Sequence, residues 1–536
     1  MRSKSHYRFI VSLLLIWSLF TGCYSYIAKS GIPFYTGPEQ ECYQDLNCDC
    51  QTQKEQNYFE SLICHTQNQL DDNFTYRLAP DLDLRVEGFD PKDKDIALKA
   101  PLLLRFAWFS DVQFRQHELK LGSKIFSRSL DKVIPSSQRN PAQEDFHWAV
   151  YLSQIEATNR LHRVEPIDFM IHTGDSIDTG SIEELYHFIY ISDRLEIPWL
   201  NLVGNHDVSI FGNYVARLGY GRDPGVIFYP VGNLADFAWM HREKRDISGF
   251  GRHFLPVPAT SAHTPSVNTH KDKKLPPTFH HGFDLESDKA CSDLPSPIPN
   301  YEECGYYAAD LCFPNRNYNF PVRLIAMNSA KEDWWGADGW IDPDQRRWLK
   351  GKLRREGGAI NLLFVHHRPE EFDAETQGLL TDPTNGALVV FTGHTHKHHL
   401  KRHGGSNGGG YYELNTGSVL EFPQIGRLIE LRGEPEGPVW LISRALWSSP
   451  MTVLEREMPS QESSGEALKE CRDNRDEKRK ILAEAVRCGH YGAYQDYIKN
   501  QQKKWRFWDR SQPFDEAWAA ANVIIPVSPP ESVKKK

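Results

Sequence analysis

Short apolar runs that stop at polar, chemistry-bearing residues dominate the middle of the chain. Leu102 to Phe109 is such a run and is followed by Ser110-Asp111, while Ile167 to Ile171 leads into His172-Thr173-Gly174-Asp175. Trp199 to Val203 runs into Gly204-Asn205-His206-Asp207. Leu362 to Val365 ends at His366, and Leu388 to Phe391 ends at Gly393-His394-Thr395-His396. Runs of this length bounded by turn residues predict buried strands. Ser181-Ile182-Glu183-Glu184 has the form of a capping box and predicts a helix through about Leu195. Strands alternating with amphipathic segments over 101–450 predict an α/β domain. In open α/β sheets ligand sites gather where the strands end, and here five strands deliver Asp, Asn or His to that edge.

The flanks read differently. Residues 221–320, above all Pro256 to Pro299, are rich in Pro, His, Ser and Lys and predict a loop-rich insertion. Residues 451–536 place Ala467, Leu468, Ile481, Leu482 and Ala485 at helical spacing and end on Lys534-Lys535-Lys536, which predicts a helical C-terminal extension. Residues 23–100 are polar and Cys-rich. At residues 1–22, Arg2, Lys4 and Arg8 precede an apolar run from Phe9 to Phe20, shorter than the roughly 20 residues a spanning helix needs. That pattern reads as a secretory signal. Cys23 directly after Thr21-Gly22 resembles a bacterial lipoprotein signal, where a lipid on Cys23 anchors the protein to the membrane surface. Export to the cell envelope is therefore expected, with plain secretion as the alternative.

Composition narrows the picture further. With 536 residues, of which 40% are apolar and 12% aromatic, the chain can bury a large core. A net charge of −9 offers no general attraction for nucleic acid. Ten cysteines in an exported chain predict disulfides of open connectivity, with a zinc site from Cys42, Cys48, Cys50 and His65 as the less favoured alternative. Nothing in the pattern sets an oligomeric state.

Each strand-end motif alone is an ordinary turn or loop. Together and in this order they fit metal-assisted hydrolysis, in which two divalent ions about 3.5–4 Å apart clamp a phosphoryl group and generate hydroxide near neutral pH. Ions held so close need an anionic bridge, which one Asp can provide, while imidazoles and an amide complete the shells. Such a donor set suits Mn, Fe or Zn.

These residues resemble the calcineurin-like metallophosphoesterase superfamily over about Pro101 to Trp447. Its pattern of Asp-x-His, Gly-Asp, Gly-Asn-His-Asp/Glu, His and Gly-His-x-His is matched by Asp111-Val112-Gln113, Gly174-Asp175, Gly204-Asn205-His206-Asp207, His366 and Gly393-His394-Thr395-His396. A strand at Arg323 to Met327 followed by a helix bearing Gln345-Arg346-Arg347-Trp348-Leu349 is a further trait of the group. The resemblance implies a four-layer αββα sandwich, two sheets face to face with helices on both outer faces. It implies that Asp111, Gln113, Asp175 and His396 hold one ion, and that Asp175, Asn205, His366 and His394 hold the other. Asp175 would bridge. His206 would stabilise or protonate the leaving oxygen, with Asp178 orienting it.

Gln113 departs from the superfamily, which usually has His there. An amide oxygen is neutral, weaker and harder than imidazole, so the first ion should bind less tightly or be manganese. His366 follows its apolar run directly and is taken as the ligand. The adjacent His367 and Arg368 are candidates for contact with the substrate phosphate, or else face solvent. His398 and His399 are expected on the surface. His280 and His281 could enter the site from the insertion, and the glycines from Gly404 to Gly410 suit a flexible hairpin. The expected activity is hydrolysis of a phosphate monoester or diester by attack of a metal-bound hydroxide. The alternative is a surface lipoprotein that keeps the fold for binding and has lost catalysis.

Overall fold

The computed structural model describes residues 76–114, 141–178, 187–188, 191–192, 194–197, 199–207, 283–286, 306–311, 322–330, 338–353, 359–404, 409–434, 437–448, 461–502 and 512–527. Within them the chain forms β1 (Tyr76–Leu78), β2 (Arg85–Val86), α1 (Lys94–Lys99), β3 (Leu102–Phe109), α2 (Pro141–Val164), β4 (Phe169–His172) and β5 (Trp199–Asn201). There follow β6 (Phe283–Glu286), β7 (Tyr307–Leu311), β8 (Val322–Ala326), α3 (Pro343–Lys352), β9 (Ile360–Phe364), α4 (Ala374–Leu380) and β10 (Ala387–Thr392). The hairpin β11 (His399–Gly404) and β12 (Gly410–Asn415) precedes β13 (Gly426–Gly433) and β14 (Val439–Ser448). Last come α5 (Gln461–Asp473), α6 (Leu482–Gln502), α7 (Phe514–Ala521) and β15 (Val523–Pro526).

Two mixed sheets result. The first runs β2-β15-β14-β13-β3-β4-β5, with β1 also on β14, and the second runs β11-β12-β10-β9-β8-β7-β6. In the first, β3, β4 and β5 are parallel neighbours. In the second, β8, β9, β10 and β12 are parallel. The site-bearing strands of each sheet therefore all end on one side of it.

Period-two alternation along these strands builds the layers. On β3, Leu104, Phe106 and Trp108 face the second sheet and pack with Leu362, Phe364, Val389 and Phe391. Phe106 meets Phe364 and Phe391 edge-on at 5.7 Å, and Trp108 meets Phe391 at 5.1 Å. Each such ring withdrawn from water is worth about 1.5–3 kcal/mol. Ala107 and Phe109 point the other way, toward Phe146, Ala149 and Leu152 of α2 and Ala485 and Val486 of α6. On the second sheet, Leu363 and Val390 meet Trp348 and Leu349 of α3. The layers run helix, sheet, sheet, helix, as expected.

Helix α3 starts where Asp342 accepts a hydrogen bond from the Gln345 backbone N–H, with Pro343 at its first turn. Gln345 then exchanges two 2.8 Å hydrogen bonds with the Asn328 backbone, tying the helix to the end of β8.

The flanking segments contribute more than their composition implies. Strands β1 and β2 come from the stretch read as Cys-rich, and β15 closes the stretch read as helical, pairing with β14. Cys471 on α5 and Cys488 on α6 form a disulfide. Strands β6 and β7 of the insertion extend the second sheet. The signal segment, Cys23, the Cys42–Cys50 cluster, His65, His280, His281 and the start of the helix expected at Ser181 lie outside the described residues. Residues 187–188 and 191–192 of that segment are helical. Among the described residues, no helix is long and apolar enough to cross a membrane.

Candidate metal centre

Five turns converge at the rim where the strands of both sheets end. Left-handed backbone is rare for residues with a side chain, yet Asp111 (φ 53°), Gln113 (φ 43°), Asp175 (φ 54°), His394 (φ 66°) and His396 (φ 57°) all adopt it. Such strain, of order 1–3 kcal/mol per residue, persists where surrounding structure holds it, and it gathers at functional sites. The glycines of the motifs are needed for close approach. At Gly204 a Cβ would collide with the backbone and carboxylate of Asp175, and at Gly393 it would meet Ser110 Oγ and Asp111 Oδ2.

Asp207 staples two of the turns together. Its carboxylate accepts from the backbone N–H groups of Asp175 (3.0 Å), Gly204 (2.8 Å) and Ile177 (3.0 Å). Burial, and then the nearby Asp175 charge, push its carboxyl up to about 7.

Asp175 sits at the middle. Its Oδ1 accepts from the His206 backbone N–H at 2.8 Å and lies 3.3 Å from His366 Nε2. Its Oδ2 accepts from Gln113 Nε2 at 3.0 Å. Asn205 Oδ1 lies 3.2 Å from His366 Nε2 and 3.0 Å from His394 Nδ1. Asp111 Oδ2 accepts from the His394 backbone N–H at 3.1 Å, and its Oδ1 is 3.0 Å from His396 Nε2. The seven residues read as ligands are thus linked in one cluster. Asp111, Gln113, Asp175, Asn205, His366 and His396 are buried, and His394 is half-buried.

Hydrogen bonds do not complete this cluster. Asp111 Oδ1 and Gln113 Oε1 are buried without a hydrogen-bond partner among the described residues, and the 3.0 Å approach of His396 Nε2 to Asp111 Oδ1 lacks hydrogen-bond geometry. Two donor atoms bound to one ion at about 2.0–2.2 Å face each other across a comparable gap. His366 Nδ1 donates to the Thr173 carbonyl at 2.8 Å, which fixes the tautomer that leaves Nε2 with a lone pair. His396 Nδ1 lies 3.0 Å from Glu421 Oε1, an approach that likewise lacks hydrogen-bond geometry and places a carboxylate charge beside the ring. Asp111, Asp175 and His366 place one ligand atom each within 4.8 Å of one another. The donor set therefore fits divalent metal.

The electrostatics point the same way. Burial works against charge on Asp111 and Asp175, yet His396 holds the first carboxyl below its ordinary value and His366 and His206 hold the second well below it. Burial likewise opposes a charged His366, but the Asp175 carboxylate outweighs it and lifts the ring to about 10. Two buried carboxylates demand cations, and without metal the imidazoles take up protons to supply them.

His206 is partly exposed, and its Nδ1 lies 2.9 Å from the Asp178 carbonyl and 3.1 Å from Asp178 Oδ1. This pairing sets Nδ1 as a donor, so proton exchange with a substrate passes through Nε2. His367 is buried, its Nδ1 2.8 Å from Ser329 Oγ. Burial, then His394 and His366, hold that ring well below its ordinary value, hence neutral. Arg368 pairs with Glu413 at 3.1 Å and Glu370 at 2.6 Å. His398, expected on the surface, is buried instead, because Gln512 clasps its backbone through bonds of 2.8 and 3.0 Å and its ring packs by Arg427. His399 is half-buried and pairs with Glu413.

The motif reading did not single out Glu421 or Gln512. Neither stands in a recognisable spacing, and only the return of distant segments to the rim brings them there.

The sequence pattern of the calcineurin-like phosphoesterase family matches residues 104–398, more than half of the chain. This chain is a member of that family. Members of this family are built as metal-dependent phosphoesterases, and membership implies a dinuclear metal centre. A search of the curated proteins finds no match. Among solved structures, the purple acid phosphatase PPD1 from yellow lupin (Lupinus luteus) seeds shares 12% identity at a TM-score of 0.33, over 64% of this chain and 53% of that one. The match thus spans about half the length of the lupin phosphatase. GAP50, described as the anchor in the inner membrane complex of Plasmodium, shares 11% at 0.28, over 63% and 84%. The sulfate thiohydrolase SoxB of Thermus thermophilus shares 10% at 0.29, over 70% and 61%. Overlaps this loose carry no further argument about substrate.

Proposed function

We propose that this phosphoesterase hydrolyses a phosphate monoester or diester in the cell envelope. The observation that carries the reading is the cluster around Asp175, where buried Asp111 Oδ1 and Gln113 Oε1 lack hydrogen-bond partners among the described residues. Asp111, Gln113, Asp175 and His396 would hold one ion, and Asp175, Asn205, His366 and His394 the other. When bound, the ions supply Lewis acidity and hydroxide at neutral pH.

The remaining roles belong to the chain. Asp175 Oδ1 accepts from the His206 backbone N–H, which holds that residue next to the Asp175 carboxylate. Asp178 holds that ring by Nδ1, and His206 delivers a proton from Nε2 to the departing oxygen. Gln113 positions Asp175 by its amide N–H. Export follows from the charged and apolar pattern of residues 1–22, and a lipid on Cys23 would hold the enzyme at a membrane surface.

Purified protein is expected to carry divalent transition metal and to cleave p-nitrophenyl phosphate or its diester when manganese is supplied. His206→Ala should lower turnover by about 10²–10⁴ with metal content unchanged, as removal of a proton donor does. Equal turnover in the variant and the wild type on both ester panels would leave a binding scaffold instead. Cys23→Ser should release the protein from membranes, and retention there would sink the lipid anchor.

A further inference from the structure

We propose that His367 supplies a third imidazole to the ion shared by His366 and His394, making the two halves of the centre chemically unlike. This rests on the dinuclear reading above and assigns a residue which that reading leaves without a role. His367 is wholly buried, and among the described residues its Nε2 has no hydrogen-bond partner. An imidazole nitrogen shut away from water in this state is costly unless something accepts its lone pair. Nδ1 lies 2.8 Å from Ser329 Oγ, and in the tautomer that donates this hydrogen bond Nε2 carries that lone pair.

The surroundings fix the ring in place. Its centroid lies 4.4 Å from that of His394 and 4.9 Å from that of His366. One ligand atom from each of His366, His367 and His394 falls within 4.8 Å of the others. Gly339 packs so tightly behind the residue that an added Cβ would lie 2.5 Å from the His367 Cβ and 2.9 Å from the ring. The side chain is wedged against the cluster by the backbone opposite.

The consequence is an uneven division of donors. One position holds Asp111, Gln113, Asp175 and His396, three oxygens and one nitrogen. The other holds Asp175, Asn205, His366, His367 and His394, two oxygens and three nitrogens. Gln113 removes an imidazole from the first position while His367 adds one to the second. Nitrogen-rich sets favour zinc, and oxygen-rich sets suit manganese. The centre should therefore load in two steps, zinc entering the nitrogen-rich position first and manganese accepted at the other.

Zinc titration of the full chain against a chromophoric chelator, with X-ray absorption of the one-equivalent form, tests this. The wild type should bind two equivalents, with three imidazoles counted around the first. His367→Ala should weaken that tight equivalent at least tenfold and lower the count to two, while the weaker equivalent stays as it was. Ser329→Ala, which removes the hydrogen bond and keeps the ring, should retain three imidazoles. Should His367→Ala fail to fold, the wild-type imidazole count decides alone: three supports the assignment and two overturns it. Two equivalents bound with unchanged affinity and spectrum in His367→Ala would overturn the role of His367 and leave the dinuclear centre standing. A wild type that binds no metal would remove the centre itself.

Discussion

The two ends of β3 each carry a buried charged cluster, and the clusters differ in one respect. Toward its start, Arg105 donates to Glu430 at 2.7 Å, pairs with Glu165 at 2.9 Å and receives Asp168 on its backbone N–H at 2.9 Å. Arg432 completes Glu430 at 3.0 Å and donates to the Leu98 and Ala100 carbonyls. Cations and anions there satisfy one another within the protein. Just past the end of the strand, Asp111 and its companions bring carboxylates, an amide and imidazoles, and among the described residues no Arg or Lys matches them and acceptors stay unpaired. The first cluster is closed and structural, the second is open and asks for a cation from outside. Both clusters withdraw charged groups from water, so completeness is what separates scaffold from site.

Substitutions at the two ends should therefore fail in different ways. Asp175→Asn should take hydrolysis to background and remove tightly held metal, measured by turnover and elemental analysis. Retained metal and turnover would contradict a bridging carboxylate. Arg105→Met should leave metal content unchanged but lower unfolding free energy by about 3–5 kcal/mol, as removal of one partner from a buried ion pair does. Urea melts read this, and loss of metal without loss of stability would blur the distinction between the clusters. Glu421→Gln, which removes the carboxylate charge beside His396, should cost about 10–100-fold in affinity at one metal position only. Unchanged metal binding would make Glu421 a bystander.

The smallest effect concerns acid. Burial holds His490 down to about 3, and burial with the His147 charge holds His187 to about 3. Unfolded, both titrate near the ordinary value of about 6.5. Between those values the unfolded chain binds more protons, so stability rises with pH and is lost as pH falls below about 6.5. Melts at pH 7.5 and 5 should show the drop, and His490→Gln should reduce its slope. An unchanged slope would place the acid sensitivity elsewhere.

The strands that carry the site were legible because each is a short apolar run that stops at its ligand. Strand β3 spans Leu102–Phe109 as its pattern predicts, and β9 and β10 differ from their runs by a residue or two. Helix α2 left no stripe to read. It lies between the first sheet and α6, so Ser153, Gln154, Thr158 and Asn159 are buried along with Leu152 and Ile155, and polar side chains interrupt the apolar face. Strand β15 was missed because four residues after a helix carry little period of their own, and its place is set by pairing with β14. The side chains that cluster around Asp175 are legible by type and order. Glu421 and the clasp of Gln512 were not, since their roles arise only when remote segments meet.

The position of β13 bears on how far this protein can be shortened. The family pattern stops at residue 398, yet the strand hydrogen-bonded to β3 begins at Gly426, and β14, β1 and β15 build outward from it. A chain cut at the end of the pattern would keep all seven clustered side chains and lose three of the eight strands of the first sheet, β13, β14 and β15. The bared flank of Leu102–Phe109 would then be an adhesive edge inviting aggregation rather than a smaller catalyst.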